Sequence, residues 1–213
     1  MCNEVARRIA LGQLREDWSQ LKIPLLFPEG LPNLAPLDSI RITDTTLVIR
    51  AVSTDTASAP APAEAVQRRW SWPGQGGKPV YNYRSDGRDL RTGRCLIPVD
   101  AFYEFTTPEA DPVAPKPKRK HKWAFTHATD AWFCIAGLWR SGVAGKDGAP
   151  VDGHGEAFTL LTTEPGPDVA PYHSRQVVVL PRSDWAAWLD GSGDSRTLCR
   201  PAPAGTFAVA PAS

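Results

Sequence analysis

The stretch Arg94-Cys95-Leu96-Ile97-Pro98-Val99-Asp100-Ala101-Phe102-Tyr103-Glu104-Phe105 holds two short apolar and aromatic runs, Arg94 to Pro98 and Ala101 to Thr106, with no room for a helix between them. The same texture recurs downstream, where Lys122 to His127, Trp132 to Trp139, Ala157 to Thr163, Gln176 to Leu180 and Thr206 to Val209 read as strands. Upstream, the β-branched runs Ser39 to Thr43 and Thr46 to Val52 read the same way. Strands this closely spaced predict an α+β fold, a single domain over residues 1–213 with mostly antiparallel strands in a barrel-like core and a few short helices. One helix is predicted over Asn3 to Leu21, where Val5, Ile9, Leu14, Trp18 and Leu21 recur at roughly helical spacing. A second is predicted over Ser183 to Leu189, capped by Ser183 and ending before Gly191. Pro24 to Pro36 reads as an extended loop, and residues 53–65 and 107–121 as surface loops.

Composition bounds the function classes. The 213 residues are 42% hydrophobic and 22% charged, too apolar for a disordered chain. The 17 glycines and 21 prolines favour turns over long helices. A net charge of +1 does not announce a nucleic-acid binder, so any such role must come from local clustering. No apolar run is long enough to cross a membrane, and the first residues carry no signal-peptide pattern, which predicts a cytoplasmic protein without a membrane partner. Cys2, Cys95, Cys134 and Cys199 lack zinc-ligand spacing, so free thiols and no metal are expected.

Five constellations carry chemistry. Removal of Met1 leaves Cys2 with an α-amine and a thiol on adjacent carbons, with ordinary pKa values of about 8 and about 8.5. Such a 1,2-aminothiol condenses with an aldehyde to an imine and then a thiazolidine, or acts as an N-terminal nucleophile on amides; alternatively Cys2 is incidental. Glu104 sits among aromatics, where burial raises a carboxyl toward the range of a proton shuttle, unless it alternates out to solvent. His173 and Arg175 precede an apolar strand, suited to proton transfer and phosphate pairing or to a structural role. Tyr81-Asn82-Tyr83-Arg84-Ser85-Asp86 mixes amide, aromatic and guanidinium groups, as a base-stacking surface or a solvated loop does. Lys116 to Lys122 is a basic run that attracts DNA nonspecifically or is simply solvated.

The order of these pieces is more specific than any one of them. Met1-Cys2, Arg69-Trp70, Asn82-x-Arg84, Cys95-Leu96-Ile97-Pro98 through Phe102-Tyr103-Glu104, Ala136-Gly137-Leu138-Trp139, Thr162-Thr163 and His173-x-Arg175 together resemble the SRAP family. These SOS response-associated peptidase-like proteins sense abasic sites in single-stranded DNA. The resemblance implies covalent capture of the abasic aldehyde through Cys2, with weak lyase activity as a side reaction. It implies catalytic roles for Cys2, Asn82, Glu104 and His173, and DNA contacts from Trp70, Arg84 and Arg175. It implies single-stranded DNA containing abasic sites as partner, no cofactor, a monomer, and a nucleoid-associated location at damaged DNA. The departures are Asn3-Glu4 where the family usually has Gly-Arg, Tyr83 and Asp86 after Asn82, Ala101 and Phe105 in the central block, and Gln176-Val177 after His173-x-Arg175. A thiol peptidase using Cys2 and a noncovalent single-strand binding module are the competing readings.

Overall fold

The computed structural model describes residues 2–52, 61–108 and 119–212. The first elements are β1 (Glu4–Arg7), helix α1 (Leu11–Ser19), β2 (Leu25–Leu26), β3 (Leu37–Arg41), β4 (Thr45–Ala51) and β5 (Ala63–Trp70). Then come β6 (Trp72–Pro73), β7 (Pro79–Val80), β8 (Asn82–Arg84), β9 (Arg94–Val99) and β10 (Ala101–Thr106). They are followed by β11 (His121–His127), β12 (Phe133–Arg140), β13 (Ala157–Thr163), β14 (Gln176–Val177) and β15 (Val179–Leu180). Helices α2 (Trp185–Leu189) and α3 (Ser195–Leu198) precede β16 (Phe207–Ala212).

Five strands form a ring. Antiparallel pairing runs from β13 through β12, β9 and β4 to β5, and β5 returns to β13 by two parallel pairs, Ala157 with Arg69 and Phe158 with Trp70. The barrel-like core of mostly antiparallel strands expected from the sequence is therefore present, closed by one parallel seam. Farther along β13 the same parallel edge continues with β8, where Leu160 faces Asn82 and Thr162 faces Arg84. Between these two stretches the chain leaves the ring as the small antiparallel hairpin of β6 and β7. A second sheet, ordered β3, β1, β10, β11, β16, packs beside the ring.

The ring strands are covered on both faces, which is why β9 and β13 are buried along their whole length, Arg94, Thr159, Thr162 and Thr163 included. Leu47, Ile49, Leu96 and Ala136 face a cluster with Leu14, Trp18, Trp185 and Trp188 of helices α1 and α2. The alternate residues Val48, Ile97, Val99 and Ile135 face a cluster with Val5, Phe102 and Phe125 of the second sheet. The three tryptophans of helices α1 and α2 are amphipathic fillers whose indole N–H groups find acceptors: Trp18 on Ile23 O, Trp185 on Leu180 O and Trp188 on Cys95 O. Gly137 of β12 is required by close approach, because a Cβ there would lie 2.5 Å from Ile97 Cδ1 and 2.7 Å from Thr159 O.

Several local expectations are corrected. The predicted helix over Asn3 to Leu21 begins only at Leu11, because Glu4 to Arg7 pair as a strand between β10 and β3. The proline-rich loop contains β2, which pairs in parallel with β5. The surface loop expected over 53–65 gives way to β5 at Ala63, with residues 53–60 outside the described residues. Within 107–121, His121 already belongs to β11, and residues 109–118 lie outside the described residues. Ser183 does not cap α2; its hydroxyl meets the Asp184 carboxylate, and Asp184 occupies the cap position without a side-chain bond.

Candidate active site

The site forms where the start of the chain lies between the second sheet and the ring. β1 pairs with β10 through Val5 and Phe102, which draws Cys2 alongside Tyr103 and Glu104. From the ring side, β8 is held in register by β13 and delivers Asn82, whose Nδ2 donates to the Cys2 carbonyl at 2.7 Å. The amide oxygen of Asn82 is buried and has no hydrogen-bond partner among the described residues. Two strands distant in sequence thus clamp one residue.

Cys2 is 1% exposed and its Sγ lies 3.4 Å from the Glu4 carbonyl. Burial foremost, and then the neighbouring Glu104 charge, push the thiol far above its ordinary range. Glu104, 2% exposed, has its carboxyl pushed by burial up to about 7, against the pull of the chain's amino-terminal charge. A carboxyl in that range exchanges protons at neutral pH. His173 is held below its usual range, first by burial and then by the same amino-terminal charge. Its Nδ1 lies 3.0 Å from the Arg175 backbone nitrogen and 3.1 Å from the Arg175 carbonyl oxygen, so the backbone of Arg175 fixes the orientation of the ring. Cys2 and Glu104 share one buried environment, in which the Glu104 charge raises the Cys2 thiol.

The predicted DNA contacts divide. Arg84 is exposed beside Asn82 on β8. Arg175 is anchored, with Nη2 2.6 Å from Asp86 Oδ2 and 2.7 Å from the Thr162 carbonyl. Trp70 requires correction. It is fully buried, stacks on Phe158 with ring centroids 6.3 Å apart, and presents no face to a base. Its Nε1 donates to the Tyr81 carbonyl at 2.8 Å, so it braces the residue before Asn82. Sequence reasoning missed the groups around the start of the chain. Lys122 Nζ lies 2.8 Å from Glu4 Oε1 and 4.1 Å from the Tyr103 ring centroid, a link across 118 positions with no local signal. Among the described residues no group of three or more His, Cys, Asp and Glu is placed to hold a metal, and no helix is long and apolar enough to cross a membrane.

A family model described as SOS response associated peptidase (SRAP) matches residues 78–213. The chain belongs to the SRAP family. Membership links this SRAP chain to DNA damage and to a peptidase-like family, and the matched segment contains Asn82, Arg84, Glu104, His173 and Arg175. Cys2 and Trp70 precede it. Three crystal structures share the fold. A protein from Bordetella bronchiseptica is 22% identical with a TM-score of 0.69, and the match covers 100% of both chains. A phage-related protein from the same organism is 20% identical with a TM-score of 0.67, covering 99% of this chain and 94% of that one. A protein from Bacteroides thetaiotaomicron is 13% identical with a TM-score of 0.66, covering 99% and 91%. No curated protein matches the chain.

Proposed function

We propose that this SRAP chain captures abasic sites in single-stranded DNA covalently through Cys2, after removal of Met1. The observation that carries the reading is the Asn82 to Cys2 hydrogen bond, which pins the would-be N-terminal residue beside Glu104. The ring-opened abasic sugar presents an aldehyde. The Cys2 amine adds to it, Glu104 in its protonated form gives a proton to the departing hydroxyl, and the resulting carboxylate takes the proton from nitrogen, so that an imine forms and water leaves. The Cys2 sulfur then bonds to the imine carbon while the nitrogen takes up the thiol proton, closing a thiazolidine with no further leaving group. Because burial and Glu104 keep the thiol protonated, the amine is the first nucleophile and sulfur the second.

Arg84 and Arg175 are the cations for phosphates flanking the lesion. His173 is the base for a slow β-elimination of the 3′ phosphate from the imine, a weak lyase side reaction. The peptidase reading demands a reactive thiolate, which the protonated, buried thiol opposes.

The test is a denaturing gel of protein with a single-stranded oligonucleotide carrying one abasic site, after intact mass has established that Met1 is gone. A heat- and detergent-resistant slow band that needs the abasic site and disappears in Cys2→Ala is the expected result. No band from protein with a free Cys2 amine overturns the reading. Salt-sensitive binding that survives Cys2→Ala without a covalent product would instead favour the noncovalent module.

A further inference from the structure

Beside the site, a cleft of about 870 Å³ opens at one end of the second sheet. Cys2 is the bridge to it, since its carbonyl meets Asn82 while the next two residues, Asn3 and Glu4, line the cleft. Four cationic side chains, Arg41, Arg119, Lys120 and Lys122, face a single carboxylate, Glu4. The wall carries the half-buried rings of Phe105 and Trp123, and Trp123 packs against Tyr172, the neighbour of His173, with ring centroids 4.9 Å apart. Cations interleaved with aromatic faces are the chemistry of a groove that tracks a single-stranded backbone and stacks its bases.

Glu4 sits within this groove in an unusual way. Its side chain is only 5% exposed, with one oxygen 2.8 Å from Lys122 Nζ and the other 3.8 Å from Arg41 Nε. Burial opposes its charge, but Lys122, Ser39 and Arg41 outweigh burial and hold the carboxyl below the usual range. The chain's own carboxylate therefore occupies a place where two cations would otherwise meet a phosphate.

We infer that this cleft holds the single strand where it continues past the lesion, and that Glu4 is an internal phosphate mimic that lowers the affinity of the groove. The inference rests on the reading of single-stranded DNA as substrate. Arg119 and Lys120, both exposed, supply the cations that Glu4 leaves free. Continuity with Cys2, together with the two aromatic walls, assigns the groove to nucleic acid rather than to an acidic peptide.

The experiment is fluorescence anisotropy with a labelled single-stranded oligonucleotide that has no abasic site, titrated across salt concentrations. The strand lacks an aldehyde, so covalent capture plays no part in the readout. Glu4→Gln is expected to tighten binding about 3- to 10-fold at low salt and to steepen the slope of log affinity against log salt by about 0.7, one phosphate's worth. The Arg119→Ala/Lys120→Ala double variant is expected to flatten that slope by roughly 1.4, and its exposed positions make it decisive if Glu4→Gln does not fold. Unchanged or weaker binding by folded Glu4→Gln, or an unchanged slope in the double variant, overturns the inference. Polyglutamate binding with the same dependence, and no binding of DNA, overturns the assignment to nucleic acid. Wild-type binding without capture of an abasic strand removes the covalent reading alone. Capture that persists with both variants binding as wild type does removes only this one.

Discussion

Glu104 places a carboxyl in a strand whose other residues are mostly apolar, and its proton equilibrium carries both a stability and a rate consequence. The unfolded chain releases that proton near 4.5, while the folded protein holds it up to about 7. Between those values the folded state binds more protons than the unfolded one, so stability falls as pH rises through the window. Glu104→Gln removes this dependence. Melting followed by circular dichroism should show the variant more stable than wild type at pH 8, on the order of 5 °C, with the gap closing toward pH 5. A gap that widens toward pH 5 contradicts the assignment. Under the proposed chemistry the same variant should slow imine formation about 100-fold, measured as the rate of cross-link appearance. Trp70 gives a second prediction at this scale. Trp70→Phe keeps the buried ring but loses the hydrogen bond to Tyr81, worth about 1 kcal/mol, and loosens Asn82. Capture should slow several-fold while affinity for an undamaged strand stays put; a fall in affinity would argue for base stacking after all.

Among the elements, Gly137 shows how tightly the ring is drawn. Gly137→Ala forces a methyl against Ile97 and the Thr159 carbonyl, an overpacking cost of about 1–3 kcal/mol. Thermal unfolding should move down by roughly 5 °C, and an unchanged midpoint would mean the ring yields there. The elements also differ in how plainly they could be read beforehand. Arg94 to Val99 and Ala157 to Thr163 were legible because apolar and β-branched residues crowd both segments, as strands that turn neither face to solvent require. Glu4 to Arg7 was not, since Val5 and Ile9 stand four apart as helical residues do, and only pairing with Phe102 and Ile40 makes the segment a strand. Ala63 to Trp70 was obscured by its alanines, which have little strand preference of their own. At the site, Cys2, Asn82, Glu104 and His173 stood out by residue type and order. The contact between Glu4 and Lys122 and the burial of Trp70 depend on contacts between distant segments, which no local pattern encodes.

For the whole molecule, the two main apolar clusters share β4, β9 and β12, whose successive residues alternate between them. Neither cluster can open without stripping one face from the same strands, so the protein should unfold in one cooperative step. Leu14→Ala in one cluster and Phe102→Ala in the other should each cost about 2–5 kcal/mol and shift a single shared transition in calorimetry. Two resolved transitions would show the clusters to be independent. The parallel edge of β13 has a different kind of consequence. Arg69 and Trp70 align with Ala157 and Phe158, the chain departs through residues 71–81, and Asn82 then resumes the same line opposite Leu160. Both ends of that excursion are registered on one rigid strand, so its length is uncoupled from the place where Asn82 arrives. The hairpin is a natural graft point, where a foreign loop can be exchanged for the native one while the amide that grips Cys2 stays where it is.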